Sequence, residues 1–188
     1  MTIRRVRQRF NGLLACLLLA ALLAGCAGAP AAPSAPAGNT VRAVATTAQI
    51  ADLLAQIAGD KVEIRVIVKN GMNHHTFEPA ASDVKELIDA QVVFESGAGL
   101  DRWVERLLES SNTTALRVDT SEGVRLQTFS QGGNSRLYPG GDPHYWHSPA
   151  NTKVVVANIA RGMAEVDPAN QVFYEANAQA YTAQLEQL

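Results

Sequence analysis

A strand, a loop and the start of a helix follow one another in residues 61–79, which read KVEIRVIVKNGMNHHTFEP. Apolar side chains alternate strictly over residues 61–69, and this period of two is that of a half-buried β-strand. The loop that follows carries two adjacent histidines, His74 and His75, and Pro79 then marks the approach of a helix. The segment therefore predicts a strand whose carboxyl end opens into a histidine-bearing loop.

Strand and helix signals alternate on both sides of this segment. Further strands are predicted at residues 41–45, 91–95 and 115–119. Stripes of apolar residues at helical spacing separate them, namely Ile50, Leu53, Leu54 and Ile57; Val84, Leu87 and Ile88; and Leu100, Trp103, Val104, Leu107 and Leu108. Such alternation predicts parallel strands joined by right-handed crossovers. We therefore predict an α/β lobe over residues 41–166, with a layered parallel sheet of Rossmann-like or flavodoxin-like type.

A second pair of histidines, His144 and His147, stands in residues 142–149, which read DPHYWHSP. The preceding residues 120–141 are rich in glycine and show no regular period. A loop of this length inside a compact domain is usually functional or disordered.

Two helices are predicted after this loop. Ser148 is expected to cap the first of them, and Pro149 takes its first position. Asp167 and Pro168 repeat the same signal before a last helix over residues 167–188.

The first 25 residues predict a lipoprotein signal peptide. A basic start with Arg4, Arg5, Arg7 and Arg9 precedes an apolar run at 13–23, which is shorter than the roughly 20 residues that cross a bilayer. The run ends in LAGC, which resembles the bacterial lipobox whose cysteine, here Cys26, becomes acylated. An ordinary signal peptide with a chance cysteine is the alternative. Residues 26–40 are rich in Ala, Pro, Gly and Ser and predict a flexible tether to a membrane surface.

Charge and cysteine usage narrow the function classes. The net charge is −2, and because residues 1–25 hold arginines and no acid, the remainder is more acidic than this total. An acidic body gives no reason to expect nucleic-acid binding, which favours basic patches. The two cysteines, Cys16 and Cys26, both belong to the first 26 residues, so the folded body has none for an internal disulfide.

The histidines are candidate metal ligands. Ligands of open parallel sheets bind outside the carboxyl ends of the strands, where His75 and His144 are both expected. Neutral imidazole is a good ligand for transition metals such as zinc, but zinc takes about four ligands. Glu78, Asp142 or another segment would have to complete the site. Solvated loop histidines without a metal role are the alternative.

Four segments resemble, in order, parts of the cluster 9 substrate-binding lipoproteins of zinc and manganese ABC transporters, the ZnuA-like and TroA-like proteins. They are TTAQIAD at 46–52, HTFEPAASD at 75–83, GAGLD at 97–101 and DPHYW at 142–146. The pair of motifs HxxEP and DPHxW at this spacing is specific. The resemblance covers residues 41–188, with the lipobox in front.

The resemblance implies that His75 and His144 each supply one metal ligand, and that Glu78 shapes the loop or supports a ligand. His74 stands where the family often has proline, which implies a bystander. His147 follows the tryptophan of the motif and is expected to cap or pack near the next helix.

The resemblance also implies an architecture and a function. The family's second lobe, which contributes the remaining ligands, is expected to be absent, and residues 167–188 correspond to the start of the long helix between lobes. We expect an extracytoplasmic, lipid-anchored monomer that captures zinc or manganese as cargo for an ABC permease, without catalysis. Residues 120–141 lack the histidine-rich loop of many zinc importers, which weakens zinc specificity without establishing manganese. A metal-dependent hydrolase with Glu78 as base, and a surface adhesion or scaffold lipoprotein, are the competing functions.

Overall fold

The computed structural model describes residues 40–129, 136 and 138–188. The predicted signal peptide, Cys26 and nearly all of the predicted tether lie outside these residues. Within the described part of the chain, no helix combines the length and apolar character that crossing a bilayer requires.

Four strands form a parallel sheet. They are β1 (Val41–Thr47), β2 (Val62–Val68), β3 (Val92–Glu95) and β4 (Leu116–Asp119). The spatial order is β2-β1-β3-β4, and each neighbouring pair is parallel. The predicted α/β fold with a layered parallel sheet is confirmed, and this order is the one that flavodoxin-like folds use. The winding reverses between β1 and β3, so the crevice above these strands is where such folds bind ligands.

Within the described residues, five α-helices connect and cover the strands. They are α1 (Ala48–Ala58), α2 (Ala81–Ile88), α3 (Val104–Ser111), α4 (Pro149–Val166) and α5 (Gln171–Leu185), with 3-10 turns at Gly59–Lys61, Tyr145–His147 and Pro168–Asn170. Two apolar cores result, one on each face of the sheet. The larger core packs α1, α4 and α5 against one face of the sheet, where Phe94 lies. The smaller core packs α2 and α3 against the other face, where the adjacent residue Val93 lies. This follows from the alternation of side chains along a strand.

The ends of α1 lie where the predicted cap residues place them, whereas the start of α4 differs in one respect. The backbone N–H of Ile50 donates to Thr47 Oγ1 at 3.5 Å, which caps α1, and Gly59 with φ of +54° ends that helix. Ser148 holds the cap position of α4, but the expectation that its side chain caps the helix is wrong. Pro149 has no N–H and already holds a helical φ, so the helix begins without side-chain help.

The last helix belongs to the packing of this lobe. Tyr174 and Ala178 of α5 are buried against the larger core. Asn177 Nδ2 donates to the carbonyl oxygen of Ile57 at 2.9 Å, and the Tyr174 hydroxyl donates to Asp167 Oδ2 at 2.5 Å. The predicted helix at 167–188 therefore exists, and its first turn is the 3-10 turn Pro168–Asn170.

Candidate metal centre

The loop after β2 turns two consecutive histidines to the same side. The backbone N–H of His75 donates to Asn73 Oδ1 at 2.9 Å, and that of Thr76 donates to the Asn73 carbonyl oxygen at 3.3 Å. An asparagine side chain that bonds to the backbone two residues ahead is a common turn device. The centroids of the His74 and His75 rings lie only 4.4 Å apart as a result.

The loop after β4 is folded back on itself just before His144. The backbone N–H of Asp142 donates to the carbonyl oxygen of Gln127 at 2.7 Å. Gly141 has φ of +120°, and a Cβ there would lie 2.7 Å from Leu126 Cβ. Only glycine accepts both this backbone conformation and this close approach. Gly141 therefore lets the two arms of the loop meet and fixes the start of the DPHYW segment.

Tyr145 anchors the same segment to the sheet. Its side chain is buried, and its hydroxyl donates to the carbonyl oxygen of Ser96, the residue directly after β3. The hydroxyl also lies 3.2 Å from Thr120 Oγ1, which follows β4. These contacts place His144, the preceding residue, above the carboxyl edge of the sheet.

Three imidazoles meet above this edge. His75 Nε2 lies 3.0 Å from His144 Nε2, and His74 Nε2 lies 3.4 Å from the same atom. One nitrogen from each of the three rings lies within 4.8 Å of the other two. Trp146 closes one side of the group, with its ring centroid 5.3 Å from that of His144 and 6.0 Å from that of His74.

The outer nitrogens of two rings are already engaged. His144 Nδ1 lies 2.5 Å from Asp142 Oδ1, which also accepts from the His144 backbone N–H at 3.0 Å. His75 Nδ1 is hydrogen-bonded to the Tyr138 hydroxyl. Partners of this kind fix the orientation of metal-binding histidines and strengthen them as ligands. Nδ1 is thus held outward in both rings, and Nε2 is turned toward the centre.

The surroundings of His74 and His75 favour their neutral forms, and those of Asp142 favour its charged form. Burial lowers the pKa of His74, and the neighbouring His75 and His144 lower it further. Burial also lowers the pKa of His75, with a second contribution from His144 that outweighs the opposing effect of Asp142. The hydrogen bond from the His144 backbone lowers the pKa of Asp142. Neutral imidazole is the form that binds metal.

The structure brings some of the predicted site residues together and separates others. His75 and His144 meet, as the sheet-edge argument predicted. Glu78 and His147 are exposed and are not members of the three-histidine group. Asp142, considered as a ligand, instead holds His144. His74, which was expected to be a bystander, lies beside these two residues, with its Nε2 3.4 Å from His144 Nε2.

Tyr138 was missed by the sequence reasoning. It lies in the glycine-rich loop, where no period or motif distinguishes it.

Residues 43–188 match the protein family described as "Zinc-uptake complex component A periplasmic", ZnuA. The chain belongs to this family. A manganese ABC transporter substrate-binding lipoprotein, PsaA of Streptococcus mitis, is 34% identical over 154 residues, which are 79% of this chain and 49% of the relative. An iron ABC transporter substrate-binding lipoprotein, MtsA of Streptococcus pyogenes serotype M1, is 32% identical over 159 residues, with shares of 80% and 49%.

The fold agrees with solved structures of the same family. A crystal structure of a ZnuA deletion mutant with zinc bound superimposes with a TM-score of 0.71 at 29% identity, covering 79% of this chain and 55% of that one. The chain spans about half the length of the curated relatives it matches.

Proposed function

We propose that this chain captures a divalent transition metal outside the cytoplasm and presents it to an ABC permease for uptake. One observation carries the proposal: His75 and His144, from loops after two different strands, face each other with 3.0 Å between their Nε2 atoms. The family membership supports the transport role, since the relatives named above are substrate-binding lipoproteins of metal transporters.

The distance between the two nitrogens suits a shared ion. Zinc binds imidazole nitrogen at about 2.0–2.1 Å, so two nitrogens of a tetrahedral site stand roughly 3.3 Å apart. The pair His75–His144 reaches this geometry with a shift of a few tenths of an ångström. The metal is cargo in this proposal, and no bond is made or broken.

A hydrolase would need, beside the metal, a base that activates water. Glu78 was the candidate, but it is exposed and lines a separate cavity with Val84 and Arg106, which none of the three histidines lines. The geometry therefore favours binding and release over catalysis.

The anchor and the division of the chain are parts of the same proposal. Residues 1–25 act as a signal peptide, Cys26 carries lipid, and residues 26–40 tether the lobe at 41–166 to the outer face of the membrane. The lipobox supports this assignment, as do the names of the relatives. Residues 167–188 begin the helix between lobes, and the protein acts as a monomer beside its permease.

Calorimetric titration of the 188-residue chain with zinc and with manganese tests the proposal. We expect one ion per chain, and loss of binding in the double variant His75→Ala/His144→Ala. His147→Ala is the matched control, because this histidine belongs to the same segment but lies outside the group. Binding that persists unchanged in the double variant would refute metal capture at this site.

A further inference from the structure

We infer that His74 is a third imidazole ligand of the same ion, so that this lobe offers a three-nitrogen face that selects zinc over manganese. The inference rests on the proposed function and adds to it the chemical class of the cargo.

The first support is distance. The 3.4 Å between His74 Nε2 and His144 Nε2 is close to the roughly 3.3 Å edge of a tetrahedral zinc site. His144 Nε2 is thus at ligand spacing from both other rings, 3.0 Å on the His75 side. Because the three ligand nitrogens all lie within 4.8 Å of one another, a single ion can reach them with small side-chain movements.

The second support is how the backbone holds the two neighbours. Consecutive side chains of an extended segment point to opposite sides, so two adjacent histidines would ordinarily diverge. The turn made by Asn73 removes this divergence, since its side chain accepts from the His75 N–H and its carbonyl from the Thr76 N–H. The convergence of His74 with His75 is therefore a property of the loop, whatever fills the site.

The third support is that His74 and His144 both pack against the ring of Trp146. The Trp146 ring meets His74 edge-on, with an interplanar angle of 86°, and meets His144 at 72°. The same indole thus limits the movement of both imidazoles. His74 is half-buried in this position, whereas His147, in the same chain segment as Trp146, is exposed.

Three nitrogen ligands favour some ions over others. Imidazole suits zinc, copper, iron and nickel, whereas manganese prefers carboxylate, carbonyl and water oxygens. Zinc accepts a tetrahedral set with three protein ligands and one further ligand. A site that begins with three imidazoles is therefore matched to zinc, and a site of two imidazoles would leave this choice to ligands from elsewhere.

The test compares zinc and manganese affinities of the full chain with those of His74→Ala and His74→Glu, with His147→Ala as control. We expect His74→Ala to weaken zinc binding by at least the roughly 10–100-fold that loss of a ligand's supporting partner costs. Manganese binding should change by less than about threefold, because manganese gains little from a third imidazole. His74→Glu supplies an oxygen ligand at the same place and should shift the affinity ratio toward manganese. Cobalt, whose visible absorption reports coordination, should change its spectrum in His74→Ala but not in His147→Ala.

The outcomes separate this inference from the proposed function. Unchanged zinc affinity and an unchanged cobalt spectrum in His74→Ala, together with loss of binding in His75→Ala/His144→Ala, would overturn the third ligand and leave metal capture intact. Equal weakening of zinc and manganese in His74→Ala would overturn the selectivity. Metal binding that survives in the double variant would overturn the proposed function itself. Circular dichroism of each variant identifies any loss of folding that could imitate these results.

Discussion

The imidazoles of His75 and His144, 69 positions apart in the chain, face each other with 3.0 Å between their Nε2 atoms. The Nδ1 atom of each ring is hydrogen-bonded on the side away from the other ring. His75 Nδ1 contacts the Tyr138 hydroxyl, and His144 Nδ1 contacts the Asp142 carboxylate. The spacing of the two Nε2 atoms therefore depends on Tyr138 and Asp142, which contact the outer side of each ring. Metal affinity should respond to changes in these outer contacts.

Asp142→Ala should lower metal affinity by about 10–100-fold, the usual cost of removing the partner of a metal-binding histidine. The reason is that His144 loses both the acceptor for its Nδ1–H and the oxygen that fixes its backbone N–H. Asp142→Asn keeps a neutral oxygen and should lie between this variant and the parent. Titration with zinc measures the effect, and Asp52→Ala, an exposed position in α1, is the control. Equal affinities of Asp142→Ala and the parent would contradict the role of Asp142.

Metal binding should weaken on acidification, but at a lower pH than for two histidines with unshifted pKa values. Protons and metal compete for the same nitrogen lone pairs. Burial lowers the pKa of His74 and of His75, so both rings stay neutral to a pH below the usual value of about 6.5. Zinc titrations between about pH 7.5 and pH 5 should show affinity nearly constant near neutrality and falling only below about pH 6.5. A decline that is already complete above this value would disagree with the direction of the shifts.

Tyr145→Phe should reduce the free energy of unfolding by about 1–3 kcal/mol, because the buried carbonyl oxygen of Ser96 loses its donor. The ring itself is retained, so the apolar packing changes little. Thermal and urea unfolding measure the loss. Tyr181→Phe is the control, since the Tyr181 hydroxyl has no hydrogen bond to any residue that the structure describes. If both substitutions cost the same, the anchoring role of Tyr145 is wrong.

Gly162→Ala should destabilise the lobe although alanine favours helices. A Cβ at this position of α4 would lie 2.8 Å from Val118 Cγ2 and 2.9 Å from Phe94 Cε1, both on the sheet. Overpacking of this kind costs about 1–3 kcal/mol, against a gain of about 1 kcal/mol in helix propensity. Urea unfolding gives the net sign. Gly140→Ala, where a Cβ meets nothing within 4 Å, should be nearly neutral, and a more stable Gly162→Ala protein would show that α4 can move away from the sheet.

Much of the fold was predictable because its signals are local. The alternation at 61–69 and the helical stripes each reflect which side chains one element buries, so the four strands and their parallel arrangement followed from the sequence. The proximity of His75 and His144 was predictable as well, since the carboxyl ends of parallel strands share one edge of the sheet.

Other features depend on contacts that no local pattern encodes. The place of His74 is set by the turn at Asn73, and the only sequence signal for it was an asparagine directly before two histidines. Tyr138 reaches His75 from a loop without periodicity, across 63 positions of chain. Both contacts depend on how two irregular segments pack together. Hydrophobic periodicity predicts helices and strands and gives no information about such segments.

The spatial order β2-β1-β3-β4 puts the strands that lead to His75 and His144 at opposite borders of the sheet. An ion held by both histidines would therefore act as a reversible cross-link that ties one border to the other and closes a loop of 69 positions. Closing so long a loop in a disordered chain is entropically costly, and a ligand that binds only the folded state stabilises it in proportion to its affinity and concentration. Binding of such an ion would therefore raise the free energy of unfolding of the whole lobe, and its removal would lower it.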